Sequence, residues 1–299
     1  MATKILRKSI FSVLQNYQYY TSTPTLVAFP YAVSYLLIQS LLLSSHIFPL
    51  VQTRLRSVFL AAGYSPLPQI FDLIILKLSE TILTLFLVFP LTFSSLLLAR
   101  ASVIIVNTRN PALSFRARAP LFISLLITQL CSTFIMFAAN ATCFVFFALC
   151  FNILDVLGLS SPRLRLLLFF SSAVIYSIVV ANAYVICNLA SIMSVMENRG
   201  GFVLILKACV MIKGRTTTAL SLAVIMNTGL AAIEALFQYR VVRAYNRRDL
   251  VTKSGLLIIM EGGFIALLYA GFLVLDTVVG CTFWKSCKRD ENQIDQYFH

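Results

Sequence analysis

Three acidic residues in apolar surroundings are the side chains best placed to do chemistry in this 299-residue chain: Glu234, Glu261 and Asp276. A charge at the centre of a membrane-spanning helix costs about 2.5–3.5 kcal/mol on insertion scales, so each acid needs a partner or a function. Counting about 1.5 Å per residue from the predicted helix ends places Glu234 and Glu261 at one depth. Two such carboxylates could share a proton or bind a cation.

Structural pairing is the simpler interpretation of the first two acids. Glu234 and Glu261 could snorkel towards, or pair with, the bases of the loop that joins their helices. These bases are Arg240, Arg243 and Lys253. We favour this pairing over a proton or cation site, and both interpretations stay open at the level of sequence.

Asp276 is the acid that its sequence neighbours explain least. It lies about 10 Å from the predicted end of its helix near Phe283, at 1.5 Å per residue. A substrate or proton site is one interpretation. Pairing with Lys285 or with a neighbour on the same helix is the other, and it is the one we favour.

The composition predicts that these acids lie on helices that cross a membrane. Hydrophobic residues make up 59% of the chain and charged residues 12%, whereas soluble domains carry roughly a quarter charged residues. A spanning helix needs about 20 mostly apolar residues, because the hydrocarbon core is about 30 Å thick. Six runs are long enough: Leu26–Ser44, Thr81–Val106, Pro120–Leu154, Leu166–Met193, Thr217–Tyr239 and Gly255–Phe283. The predicted fold is therefore all-α, a polytopic membrane helix bundle with about six transmembrane helices plus short interfacial helices.

One integral membrane domain is predicted over residues 1–299, in three parts. Residues 1–22 form an amphipathic surface helix, because apolar residues recur at helical spacing against Lys4, Arg7 and Lys8; a frayed polar tail is the alternative. Residues 26–283 form the six-span bundle, and residues 284–299 a polar C-terminal tail.

The third apolar run is longer than one crossing requires. It could tilt, extend into the interface or break near Asn140, and we predict one helix.

Two connections are predicted to contain helices of their own. The segment Gly200–Lys213 is apolar but too short to span, so we expect an interfacial helix that ends at Gly214 and Arg215. The segment His46–Asp72 is expected to form a short surface helix followed by a turn.

The net charge of +13 predicts partners and orientation. In a soluble protein this charge would suggest nucleic acid, but here the bases lie between spans, beside the headgroups. Anionic lipid headgroups are therefore the expected partner, nucleic acid is not, and any protein partner is unknown.

With both termini in the cytoplasm, that side collects 14 Lys and Arg residues and the other side nine, as the positive-inside rule favours. The expected location is the endomembrane system or the plasma membrane.

The chain lacks the sequence patterns by which membrane enzymes are recognised. It has no HExxH, no GxSxG and no nucleotide-binding glycine loop. It has no CxxC pair and only two histidines, His46 and His299, so no cofactor and no metal are expected. We predict that the protein is not an enzyme.

The join between the fourth and fifth runs carries a resemblance. Residues 190–197 read ASIMSVME, and Lys213-Gly214-Arg215 follows at the start of the next run. With six spans and a surface helix before them, this resembles a large family of uncharacterised plant multi-pass membrane proteins, over Lys4 to Phe283. That family is distantly similar to the membrane region beside bacterial glycerophosphodiester phosphodiesterase domains. The resemblance implies no activity and no catalytic residue, since the bacterial proteins place catalysis in a separate soluble barrel.

The sequence therefore predicts a non-enzymatic multi-pass membrane protein that acts as a scaffold or holds lipids and partners through its basic, amphipathic elements. The alternative is a carrier for a small solute or lipid that uses Glu234, Glu261 and Asp276.

Overall fold

A computed structural model describes residues 1–22, 24–42, 47–61, 75–76, 78–79, 94–105, 115–156, 162–243 and 255–298. All regular structure in these residues is helical, which confirms the predicted all-α fold for them. In chain order the helices are α1 (Ala2–Gln15), α2 (Tyr17–Ser22), α3 (Pro24–Leu42), α4 (Ile47–Ala61), α5 (Ser94–Ile105), α6 (Phe115–Val156), α7 (Pro162–Glu197), α8 (Phe202–Ile212), α9 (Thr216–Phe237) and α10 (Gly255–Phe298). A π-helical turn, Gln238–Val242, continues α9.

Four helices within the described residues are long and apolar enough to cross a membrane. The candidate spans are Leu121–Phe147, Leu166–Glu197, Thr216–Val242 and Leu257–Arg289. They coincide with the last four of the six apolar runs. The first run forms α3, and the second is described only from Ser94 onwards. Six crossings therefore stay a prediction.

The third apolar run forms one continuous helix, as predicted. α6 continues without a break through Asn140, whose Oδ1 atom accepts a hydrogen bond from the Tyr176 hydroxyl of α7 at 2.8 Å. An amide that finds an interhelical partner can remain inside an apolar helix. Asn140 therefore joins two helices and does not interrupt one.

The shorter predicted helices are present as well. The N-terminal segment folds as α1 and α2, which meet at Asn16, and α4 occupies the first part of the segment His46–Asp72. The turn expected after α4 lies outside the described residues. α10 continues to Phe298, so most of the predicted polar tail is helical.

The described chain divides into two compact units. Unit 1 comprises Met1–Gln15, Val103–Ile225 and Asp276–His299, and unit 2 comprises Asn16–Ser102 and Met226–Leu275. In unit 1, α7 packs against α6 and α8. In unit 2, buried residues from four helices, α3, α5, α9 and α10, form a core: Ala28, Ala32, Leu36, Ala99, Ile233, Phe237, Ile265, Ala266, Tyr269 and Ala270.

A tight connection in unit 1 sets the position of α8. After α7 the chain turns through Asn198 with φ of 51° and Gly201 with φ of 105°, and Asn and Gly are the residues that best tolerate positive φ. The Gly201 N–H donates a hydrogen bond to the Thr128 Oγ1 atom of α6 at 3.1 Å. A Cβ atom at Gly200 would lie 2.8 Å from the Ser124 carbonyl oxygen. The turn and α6 therefore approach each other as closely as backbone atoms allow.

Candidate functional site

Two of the three predicted acids lie where α9 and α10 pack against each other in unit 2. The contacts progress in opposite directions along the two helices, from Gly229 beside the ring of Phe272 to Phe237 beside Gly262. The helices are therefore antiparallel. This packing decides which side chains face each acid.

Glu234 faces a buried tyrosine. The Tyr269 hydroxyl donates a hydrogen bond to the Glu234 Oε1 atom at 3.0 Å, and Tyr269 is only 4% exposed. The Tyr35 ring of α3 stacks on Tyr269 with centroids 5.7 Å apart, and Tyr31 stacks on Tyr35 at 5.9 Å. We call these four residues the Glu234 cluster; they place one carboxylate beside a column of three phenol rings.

Glu261 is held by a base. Its Oε1 atom lies 3.1 Å from the Arg240 Nε atom, and both side chains are substantially exposed. Arg240 belongs to the π-helical turn, and the Arg243 guanidinium that follows lies over the Tyr239 ring at 5.4 Å from its centroid. The pairing with Arg240 is one of those that the sequence suggested for this acid. It makes a local structural role the simplest account of Glu261.

The expectation that Glu234 and Glu261 share one depth is not met. Glu261 lies level with Arg240, which is six residues beyond Glu234 on the same helix. At about 1.5 Å per residue the two carboxylates are offset by roughly 9 Å along α9. Part of the difference has a clear cause: the sequence predicts an end at Tyr239, whereas the helical path continues to Val242 through the π turn, and these three residues account for about half of the offset.

Asp276 belongs to the other compact unit. It lies within the candidate span Leu257–Arg289, is 7% exposed, and is followed by the buried Thr277. The structure thus assigns Glu234 and Glu261 to unit 2 and Asp276 to unit 1.

The three tyrosines were not identified from the sequence. An aromatic residue in an apolar run has the same pattern whether it faces lipid or a carboxylate. The missing information is the register between α9 and α10, which places Tyr269 opposite Glu234. A carboxylate in a predicted span is the available signal, because it requires a donor on a neighbouring helix.

A second candidate site lies on the exposed side of α1. Ile5 and Ser9 are buried, whereas Phe11 and Leu14 are each about two-thirds exposed. One shallow surface combines three bases with three apolar side chains: Lys4, Arg7, Lys8, Ile10, Phe11 and Leu14. Bases beside exposed aromatic and aliphatic side chains are the composition of a helix that binds a membrane surface.

These features define a class of protein: within its described residues the chain is helical and has four helices that are compatible with insertion into a membrane, by their length and composition. The chain belongs to the family described as a domain of unknown function (DUF8558), which it matches over residues 4–297. No match was found among curated proteins or among solved structures.

Proposed function

We propose that this protein is a non-enzymatic, six-span integral membrane protein that holds anionic lipids through its basic, amphipathic elements. The observation that carries the proposal is the exposed surface of α1, where Phe11 and Leu14 lie beside Lys4, Arg7 and Lys8. Apolar side chains enter the headgroup–acyl boundary while neighbouring bases contact lipid phosphates. We place the protein in the endomembrane system or the plasma membrane, with both termini in the cytoplasm.

The exposed surfaces of the candidate spans support the membrane part of the proposal. Large apolar side chains project from the described residues of α6, α7 and α10, among them Phe134, Phe137, Leu167, Ile259 and Phe264, and each is more than 60% exposed. Soluble monomers rarely expose apolar patches of more than a few hundred Å². Acyl chains would cover these side chains in a bilayer.

Charge reversal on α1 tests the lipid-binding role. The variant K4E/R7E/K8E and the matched control K4R/K8R are purified as full chains, and the anionic lipids that they retain are counted by native mass spectrometry. One base near the headgroups contributes about 1 kcal/mol, so the reversed variant should bind phosphatidylserine at least roughly 100-fold more weakly at about 1.4 kcal/mol per tenfold. The control should match the unaltered protein. Equal retention by both variants would contradict the proposal.

A carrier for a small solute or lipid is the second candidate function, and the Glu234 cluster is the observation that favours it. A carboxylate hydrogen-bonded to a buried phenol within a candidate span is a polar group at a depth where such groups are rare. The pairing of Glu261 with Arg240 argues for a structural role of that acid. Asp276 stays a candidate through its burial within a span.

Three substitutions separate the two functions: Glu234→Gln, Glu261→Gln and Asp276→Asn. If the acids take part in transport, the variants are expressed at normal levels but no longer carry the solute or lipid. If they serve structure, expression falls. A matched control is Tyr269→Phe, which removes the hydrogen bond to Glu234 but keeps the carboxylate; its expected cost is about 0.5–1.5 kcal/mol of stability.

We also propose that the protein is related to the plant multi-pass membrane proteins that its sequence resembles. This relationship is consistent with membership of a family without an assigned activity. It adds no substrate.

A further inference from the structure

We infer that α8 lies within one leaflet of the bilayer, with its outer face in acyl chains immediately below the headgroups. This inference rests on the proposed function, because it assumes that the neighbouring helices cross a membrane. It identifies one lipid-contacting surface of unit 1, the outer face of α8, whereas the net charge of the chain identifies no particular surface.

The length of α8 and its neighbours define where it can lie. α8 joins the candidate spans Leu166–Glu197 and Thr216–Val242. Its 11 residues extend about 16 Å at 1.5 Å per residue, roughly half of the hydrocarbon thickness. If both neighbours cross, α8 begins and ends at the same membrane face.

The packing of α8 determines which face points outward. Leu204, Ile205, Ala208 and Ile212 are buried, and α8 contacts α6 and α7. The Gly200 and Gly201 contacts with α6 hold the start of the helix in place. The opposite face therefore cannot rotate inward without breaking this connection.

Apart from Lys207, whose charge is paired, that opposite face is apolar. Phe202, Val203, Leu206 and Val210 are each more than half exposed. Val203, Leu206 and Val210 recur at helical spacing and form one stripe on the helix surface. A helix with an apolar stripe on each side needs a protein on one side and an apolar medium on the other.

The charges identify a bilayer as that medium. Lys207 is the base in the middle of α8, and its Nζ atom lies 2.6 Å from the Glu197 Oε1 atom, so this part of the helix carries no net charge. Two further bases flank the helix: Arg199 before it and Lys213 after it. Bases at both ends of an apolar stripe match phosphates at the edge of acyl chains. A protein partner that covered the apolar stripe would not require bases at both ends of the helix.

Fluorescence quenching at defined depths tests the inference on the full chain. A genetically encoded fluorescent amino acid replaces Val203, Leu206 or Val210, one at a time, which leaves the seven native cysteines unchanged. The protein is reconstituted in vesicles of phosphatidylcholine and phosphatidylserine. The quenchers are iodide in the water and lipids with a nitroxide just below the headgroup. Controls place the same amino acid at Arg199 for the headgroup level and at Val224 for the interior of a span.

All three α8 positions should be quenched by the shallow nitroxide and shielded from iodide relative to position 199. Position 224 should be quenched better by a nitroxide deep in the acyl chain. Strong quenching by iodide at the α8 positions would place the stripe in water and overturn the inference. Shielding from both quenchers would show a covering protein, including a second copy of this chain, and would also overturn it.

The unaltered protein provides a second measurement if a labelled variant fails to fold. Cys209 is exposed on α8, and its modification is followed by peptide mass spectrometry in the same vesicles. A membrane-soluble maleimide should modify Cys209 faster than a charged maleimide, and the reverse order would contradict the inference. Either result is independent of lipid counting on α1, so failure here is distinguishable from failure of the proposed function.

Discussion

Glycines show at the scale of the residue how little space separates some of these helices. A Cβ atom at Gly229 would contact the Phe272 ring at 2.6 Å, and one at Gly280 would overlap the side chain of Ile192. Other glycines of these helices have no such close neighbour. Gly263 and Gly271 have open space where a Cβ would lie, and Gly262 has only ordinary contacts. Which glycine faces a neighbour depends on helix rotation, and a small residue alone does not reveal it.

The turn before α8 gives the residue-scale prediction. Gly200→Ala places a methyl group against the Ser124 carbonyl oxygen, a backbone atom that cannot rotate away. Overpacking of this kind typically costs about 1–3 kcal/mol, so the melting temperature of the purified protein should fall. Gly263→Ala is the control, because nothing lies within 4 Å of its Cβ position, and it should leave the melting temperature unchanged or slightly higher. Equal losses in both variants would show that the close approach does not exist.

At the scale of elements, the sequence predicted helices well and the contacts between them poorly. Run length and the glycines around residues 200 and 214 were sufficient to predict α8, and apolar continuity was sufficient to predict α6 as one helix. The π turn after α9 has no comparable signal. Arg240 was assigned to a loop although it lies in a helical turn opposite Glu261. Partners such as Tyr269 follow from interhelical register, which the local pattern of one helix does not contain.

The Arg240–Glu261 pair gives the element-scale prediction. Arg240→Glu alone brings two like charges together and should lower the melting temperature. The exchanged variant R240E/E261R restores opposite charges and should recover most of that loss. Because both side chains are substantially exposed, the coupling energy in a double-mutant cycle should be about 0.2–1 kcal/mol. A coupling energy of zero would mean that the π turn is not held to α10 by this pair.

At the scale of the whole molecule, topology is the property that most needs measurement. Four candidate spans are present in the described residues, and six apolar runs in the sequence predict an even number of crossings. The positive-inside rule predicts that both termini lie in the cytoplasm.

Tags at selected positions test this topology in cells. Glycosylation-acceptor or split-fluorophore tags at each terminus, and a third between residues 244 and 254, report the side of the membrane. The two terminal tags should report the cytoplasm and the third tag the opposite side. Terminal tags on opposite sides would imply an odd number of crossings and would refute the six-span topology. A tag inserted after Asn16 is a useful control, because it should report the same side as the N-terminal tag.

The composition of unit 1 has a consequence for biosynthesis. Met1–Gln15 is translated before the other segments of its unit, which are Val103–Ile225 and Asp276–His299. The unit that contains α1 therefore stays incomplete until Asp276–His299 has been translated. Stalled or shortened products that lack Asp276–His299 would carry an incomplete unit 1, and membrane quality control would encounter them as unfinished proteins.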